Sequence, residues 1–568
     1  MSGDARLLAD PRRTPPANEP LDLPSRPTIS TPGLVLAVMG YLVSLTPSLV
    51  PRTTAGQVAV SVVLTLTGYL VGMLSGRLAG WLHSLVRSAP PTEPSRWLRR
   101  GQVGIVVALL VGGLIFTPSG LGWQSDQAGS VGWAVPSWLT VMVLTPVLVV
   151  GVILVGRGVR TAARWLARPY GRFLPYRLAR VAGVVTAAGL LASLVAGMGW
   201  YQTNQFEALN LRTDQQQQPT SALRSGGPGS LVEWADLGRQ GRTFVMGGPS
   251  ARAITGFTGE PALEPIRVYV GMGNAPTPRQ RAELAVAELE RTGAFDRAKL
   301  VIVVTSGMGA VHPVSAITLE FAAGGDVATV ATQYSYLPSF MTAVVDTDGA
   351  EREARALIPA VLDAVRERPE GQRPEVYLHG ESLGALGSQR YLLDQTPEEV
   401  TTDFAGVLWI GTPAASELVD RWAEYGAGSP AWEPTVGGGA IARFAAAPGR
   451  IPADDPTWGP HRILFLHSAT DPVVHLALSV ATSPPRWLEG ERGERVPEGM
   501  VWWPVFTWEQ VLLDLTTNGF VPPGVGHNYA HAHAAGWAAV MQVEGWTPEV
   551  IDALNSYRRE VVAPVPKP

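Results

Sequence analysis

The chain has no cysteine and only two lysines among its 568 residues. Without cysteine there can be no disulfide, no thiolate nucleophile and no thiolate ligand for zinc. The contrast of two lysines with 42 arginines fits a GC-rich genome. Charge of either sign is scarce: 16% of residues are charged and mean hydropathy is +0.12. That balance is unusual for a wholly soluble protein.

The scarcity is local. Five apolar stretches, at about 33–51, 57–76, 103–122, 133–156 and 181–200, occupy the first 200 residues, and the charged residues sit between them. Stretches of about 20 residues at about 1.5 Å rise match the ~30 Å hydrocarbon core of a bilayer. The first contains Pro47 and ends at Pro51, so a short, kinked or re-entrant span is expected there. Further spans follow and no small-residue cleavage site is evident, which argues against a cleaved leader.

Arginine placement orients the spans. Four arginines precede the first, and the successive connections hold one (Arg52), five, none and seven. That alternation is the positive-inside pattern for five spans with a cytoplasmic N-terminus, and it puts everything after Trp200 outside. Residues 1–200 carry 17 basic and 6 acidic residues, net +11, and residues 201–568 carry 27 and 42, net −15. An acidic exported half argues against nucleic acid as its partner. Anionic lipid accounts for the basic connections.

The exported half holds the chemistry. His379-Gly380-Glu381-Ser382-Leu383-Gly384 is a G-x-S-x-G motif between an apolar strand (375–378) and a helical stretch (385–392). Strand, sharp turn and helix form the setting of a nucleophile elbow, and its glycines relieve collisions that larger residues would make. Such an elbow calls for an acid after a later strand and then a histidine near the end. Asp471 follows an apolar strand at 462–467, and His527 lies in the glycine-flanked loop Gly524–Tyr529, after a further strand expected at 501–508. The expected roles are Ser382 as nucleophile, His527 as general base and then acid, and Asp471 as the group orienting the imidazole.

The oxyanion hole would use the backbone N–H of Leu383 and one from the loop Ser306-Gly307-Met308-Gly309 after the strand 299–305, with Ser306 and Gly307 as candidates. The bland readings are turn residues at Ser382, a turn starter at Asp471-Pro472 and a plain glycine turn at 306–309. His467, His379, His531 and His533 are rival histidines. His527 and His531 also have an H-x-x-x-H spacing, but Asn528 stands where a zinc hydrolase needs its glutamate base, so no metal and no cofactor are expected.

Strands and helices alternate from about 264, which implies a mostly parallel sheet with helices on both faces. The expected organisation is a disordered N-terminus (1–32), a membrane domain of about five transmembrane helices (33–200), a juxtamembrane linker (201–262), an α/β-hydrolase domain (263–559) and a loose tail (560–568). A cap insertion is expected near 412–460, where ordinary cap packing is the expected role of Trp422, Trp432 and Phe444 and lining an apolar pocket is the alternative.

Several stretches carry a family resemblance: Leu45-Thr46-Pro47-Ser48-Leu49-Val50-Pro51-Arg52, Arg267-Val268-Tyr269-Val270-Gly271, Arg291–Arg297, Gln333–Ser339 and the elbow. They span both halves. On them the chain resembles the actinobacterial membrane-anchored α/β-hydrolases with a multi-span N-terminal region. The resemblance implies a serine-hydrolase fold on a membrane anchor and names no substrate. The expected function is hydrolysis of acyl esters at the cell envelope, with lipid or lipid-linked substrates suggested by the tether. Acyl transfer through the same triad, or a membrane scaffold with an inert hydrolase domain, are the alternatives.

Overall fold

The computed structural model describes residues 30–86, 96–124, 136–213, 216–424, 430, 432–517 and 521–561. Most of the expected disordered N-terminus and of the loose tail lies outside the described residues. The chain divides into two compact units, residues 1–40 with 65–114, and residues 41–64 with 115–568.

In the first unit the start of the helix Thr31–Ser44 lies against the helix Thr54–Val86. Glycine permits the approach: a Cβ on Gly68 would sit 2.0 Å from Leu36 O, and one on Gly72 2.2 Å from Pro32 O. Small residues at this spacing let apolar helices pack backbone to backbone.

The second unit contains an apolar helix pair, Trp138–Ala167 and Tyr176–Leu211, joined by a short turn. Leu148, Leu154, Leu190 and Leu194 are among their exposed side chains. Three of the described helices are long and apolar enough to cross a membrane: Thr54–His83, Trp138–Arg172 and Tyr176–Leu211. The first expected span is shorter than its apolar stretch, because the helix stops at Ser44 and residues 45–53 run on without regular structure.

The rest of this unit is built on a seven-stranded sheet: β1 (Ile266–Val270), β2 (Lys299–Val304), β3 (Val327–Thr332), β4 (Glu375–Glu381), β5 (Gly406–Ile410), β6 (Ala442–Ala445) and β7 (Arg462–Leu466). The order is β1-β3-β2-β4-β5-β7-β6, and all six pairings are parallel. Strands buried on both faces read as continuous apolar runs, as Leu300–Val304 and Val407–Ile410 do. Successive residues of β4 show both covers, because side chains alternate across a sheet. His379 bonds Ser315 Oγ and packs on Trp537, from the helices Pro313–Ala322 and His533–Val540. Gly380 faces the other way, where a Cβ would meet Ala385 N at 2.6 Å.

Three expectations need correction. Residues 501–508 are not a strand: the chain turns and enters the helix Phe506–Asp514. The segment 412–460 contributes the edge strand β6, and Phe444 stacks on Phe465 of β7 at 4.4 Å instead of lining a pocket. Trp422 also packs on Phe465, and Trp432 sits in a separate cluster with Trp487 and Met500. Finally, within the expected juxtamembrane linker (201–262), residues 201–211 belong to the helix Tyr176–Leu211 and 216–262 is folded. Its helices Gly238–Met246 and Ala251–Thr258 pack on the sheet unit, and Arg242 is fully buried, donating to Asn210 O at 2.8 Å.

Residues 45–53 are likewise buried. Leu49 and Val50 join the Trp432–Trp487–Met500 cluster. Arg52 Nε meets Asp514 Oδ1 at 2.8 Å with both side chains fully buried, and Ser48 Oγ donates to Asp514 Oδ2 at 2.5 Å. Removing one partner of a buried pair strands the other charge. Asp514→Ala is therefore expected to cost about 3–5 kcal/mol. A thermal unfolding midpoint in detergent that matches wild type would show that the pair contributes nothing.

Candidate active site

Ser382 follows β4 and precedes the helix Leu383–Tyr391. Its backbone has φ 56° and ψ −123°, a conformation costing a non-glycine residue about 1–3 kcal/mol. The turn is crowded as well as strained: a Cβ on Gly384 would lie 2.0 Å from Val304 O of β2. The Ser382 N–H donates to Ile410 O at 2.9 Å, which holds the elbow to the end of β5.

Asp471 follows β7 and is fully buried. Its Oδ1 accepts from Val473 N at 2.8 Å, and its Oδ2 accepts from His527 Nδ1 at 2.6 Å and from the Tyr529 hydroxyl at 2.7 Å. Burial opposes its ionisation, yet the charge of His527 and these three donors hold its pKa below the ordinary aspartate value. The reverse holds for His527. Burial pushes its pKa down, but the charge and hydrogen bond of Asp471 outweigh this, and the net shift is upward.

The imidazole rests on the end of β5, where a Cβ on Gly411 (φ +57°) would come within 2.5 Å of His527 Cε1. Ser382 is bonded to the residue just before Gly411, so serine and histidine share one end of neighbouring strands. Among the described residues no hydrogen bond joins Ser382 Oγ to His527. Such contacts are often loose before substrate binds.

The rival histidines have other partners. His379 and His467 are core residues, pushed down to about 4 and about 3 by burial. Residues 527 and 531 do not share a helical face, because the helix begins only at His533. His533 turns instead to Glu381, 3.3 Å away.

The oxyanion expectations divide. The Leu383 N–H is the first of its helix and has no acceptor within it. Ser306 and Gly307 are corrected: the Ser306 N–H donates to Ala310 O at 3.2 Å and the Gly307 N–H to the Tyr334 hydroxyl at 2.8 Å. Both donors are taken, one by the loop itself and one by Tyr334 beyond β3.

Sequence reasoning missed Tyr529, Gly411 and the role of Glu381. Tyr529 stands two residues after His527, and that nearness was its only signal. Glu381, His312 and His533 hold three ligand atoms within 4.8 Å of one another, a candidate metal cluster among the described residues. The two imidazoles stack at 4.4 Å and 18°, so their in-plane lone pairs run side by side and do not converge on one ion. The arrangement is better described as a carboxylate at the end of β4, leading into the elbow, with His533 at hydrogen-bond distance and His312 stacked on His533.

Comparison with known proteins adds a family. A model described as "Alpha/beta-hydrolase family" matches residues 266–554, and one described as "Alpha/beta-hydrolase family N-terminus" matches residues 45–249. The chain belongs to this α/β-hydrolase family. No curated protein and no solved structure matches it. The first match takes in Ser382, Asp471 and His527 of the hydrolase, and the second takes in Arg52 and the apolar helices.

Proposed function

We propose that this α/β-hydrolase is a membrane-anchored serine hydrolase of carboxylic esters. The observation that carries the reading is the 2.6 Å His527–Asp471 hydrogen bond at the sheet edge where Ser382 sits strained at its elbow. Ser382 Oγ attacks the ester carbonyl carbon while its proton passes to His527 Nε2. The Leu383 N–H receives the developing oxyanion. The C–O bond breaks, the alcohol leaves with the proton from His527, and water then releases the acid by the same path. Asp471 holds Nδ1–H so that Nε2 faces the serine, and Tyr529 and the Val473 N–H hold Asp471.

Anchoring rests on the three long apolar helices. The arginine-poor connections join the catalytic half: Arg52 bonds Asp514, Gln124 Oε1 accepts from the Arg52 N–H at 2.9 Å, and the Ser137 N–H donates to Thr54 Oγ1 at 3.2 Å. By the positive-inside rule such connections lie outside, and the catalytic half with them. An alkyl fluorophosphonate should form its adduct on Ser382, as mapped by mass spectrometry, and a membrane-impermeant version should label intact cells. An adduct mapped to another serine would remove the nucleophile assignment, and labelling only after lysis would reverse the topology.

A further inference from the structure

All strands are parallel, so their C-terminal ends share one edge. Ser382 follows β4 there, Asp471 follows β7, Ser306 follows β2 and Gln333 follows β3. This is the edge joined to the apolar helices, and it is joined at two places. Gln333 Nε2 donates to Asn210 Oδ1 at 3.1 Å, and Asn210 lies in the last turn of the helix Tyr176–Leu211. The Arg239 N–H donates to the same oxygen at 3.1 Å. The second join is the buried Arg52–Asp514 pair, reached from Asp471 through residues 472–514, with Arg52 two residues before the helix Thr54–Val86. The catalytic edge therefore faces the end of the spanning helices, and the opposite edge of the sheet does not.

Exposed apolar side chains gather on the same edge. Among the described residues between 216 and 561, ten large apolar side chains are exposed, and seven of them lie in just two segments. Phe340, Val344 and Val345, 71%, 78% and 65% exposed, occupy the helix Ser339–Val345. Leu478, Val501, Val505 and Leu512 belong to the segment that ends at Asp514. The first helix starts beside the elbow's neighbour loop: Ser339 Oγ lies 3.1 Å from Ser306 Oγ, and a Cβ on Gly307 would meet Ser339 Oγ at 2.5 Å. An apolar surface this exposed requires a cover. Its continuity with the ends of bilayer-crossing helices supplies one.

We propose that these two segments are immersed at the boundary between headgroups and acyl chains, and that Ser382 takes its ester from that bilayer. The substrate class is a membrane-resident acyl ester whose chain enters beside Phe340. This deepens the serine-hydrolase reading and rests on it. The covalent step is unchanged: the Ser382 Oγ–acyl bond forms, the lipid alcohol leaves, and water releases the fatty acid.

The test uses the full chain in phosphatidylcholine vesicles. Because there is no native cysteine, the Phe340→Cys variant carries one bimane label. Its fluorescence should be quenched by brominated phosphatidylcholine and protected from iodide. A label on the Glu370→Cys variant, at the opposite edge before β4, should show the reverse. In activity, Phe340→Ser combined with Val344→Ser and Val345→Ser should leave turnover of soluble p-nitrophenyl acetate within about two-fold. Turnover of p-nitrophenyl palmitate in the vesicles should fall at least about ten-fold, since three apolar contacts with the bilayer are lost. An iodide-accessible label at 340, or equal effects on the two esters, overturns the proposal while leaving Ser382 in place. Full acetate turnover in Ser382→Ala removes the nucleophile, and with it the proposed source of substrate.

Discussion

Ser382→Ala should lower ester turnover by on the order of 10⁵–10⁶-fold, the scale on which loss of a triad nucleophile is felt. The argument starts from geometry. A side chain held at φ 56° against a glycine with no room for a Cβ is costly to maintain, and such strain persists where its surroundings over-determine it. Alanine keeps the Cβ and the backbone but has no oxygen to attack with. The fold should therefore survive, because the Ser382 N–H still donates to Ile410 O and the helix after it is unchanged. Steady-state kinetics with p-nitrophenyl acetate, together with a thermal unfolding midpoint, decide the matter. A stable Ser382→Ala protein that retains more than about a hundredth of wild-type turnover would place the nucleophile elsewhere.

Asp471→Asn should cost about 10⁴-fold, by the tautomer argument established for serine proteases. An asparagine amide can donate to Nδ1 and so turn the imidazole to the wrong tautomer. The loss in this protein has a second part, because the Tyr529 hydroxyl and the Val473 N–H are also aimed at the carboxylate. The pH profile separates the two roles. His527 must be neutral to act as base, and Asp471 holds its pKa above the ordinary histidine value. Wild-type activity should thus fall as pH drops, with a midpoint above ~6.5. In Asp471→Asn the raising charge is gone and burial remains, so the residual activity should persist to lower pH. An unchanged acid limb in that variant would mean that another group sets the profile. His527→Ala should be at least as damaging, and the losses should not add, because the groups act as one unit.

The elbow and the order of its partners were legible because they are local or sequential facts. A G-x-S-x-G between an apolar run and a helix is a steric statement about one turn, and parallel strands deliver Ser382 and Asp471 to the same edge, where His527 bonds Asp471. Strands β2, β4 and β7 were legible from length and apolar content. The run Val501-Trp502-Trp503-Pro504-Val505-Phe506-Thr507-Trp508 was not. Short apolar runs do not distinguish strand from buried helix by periodicity, and here Pro504 ends the extended part and Phe506 opens a helix. β6 is four residues long and its sequence, Ala-Arg-Phe-Ala, carries too few signals to mark a strand.

Sequence by itself determined that this chain pairs a basic, apolar first part with an acidic α/β part, and that a G-x-S-x-G serine is present where no thiol is. Those are matters of composition and chain order. Tertiary structure alone decided the rest. It gave the Ser306 and Gly307 amides other acceptors, since a buried N–H takes whichever acceptor the fold brings near, here Ala310 O and the Tyr334 hydroxyl. It set Glu381 beside the stacked imidazoles of His312 and His533. It also joined Arg52 to Asp514 and Asn210 to Gln333, contacts between distant parts of the chain that no local pattern encodes. Those two joins set the catalytic edge against the helix ends, because each strand's direction is fixed by its parallel neighbours and all of them end on the same side.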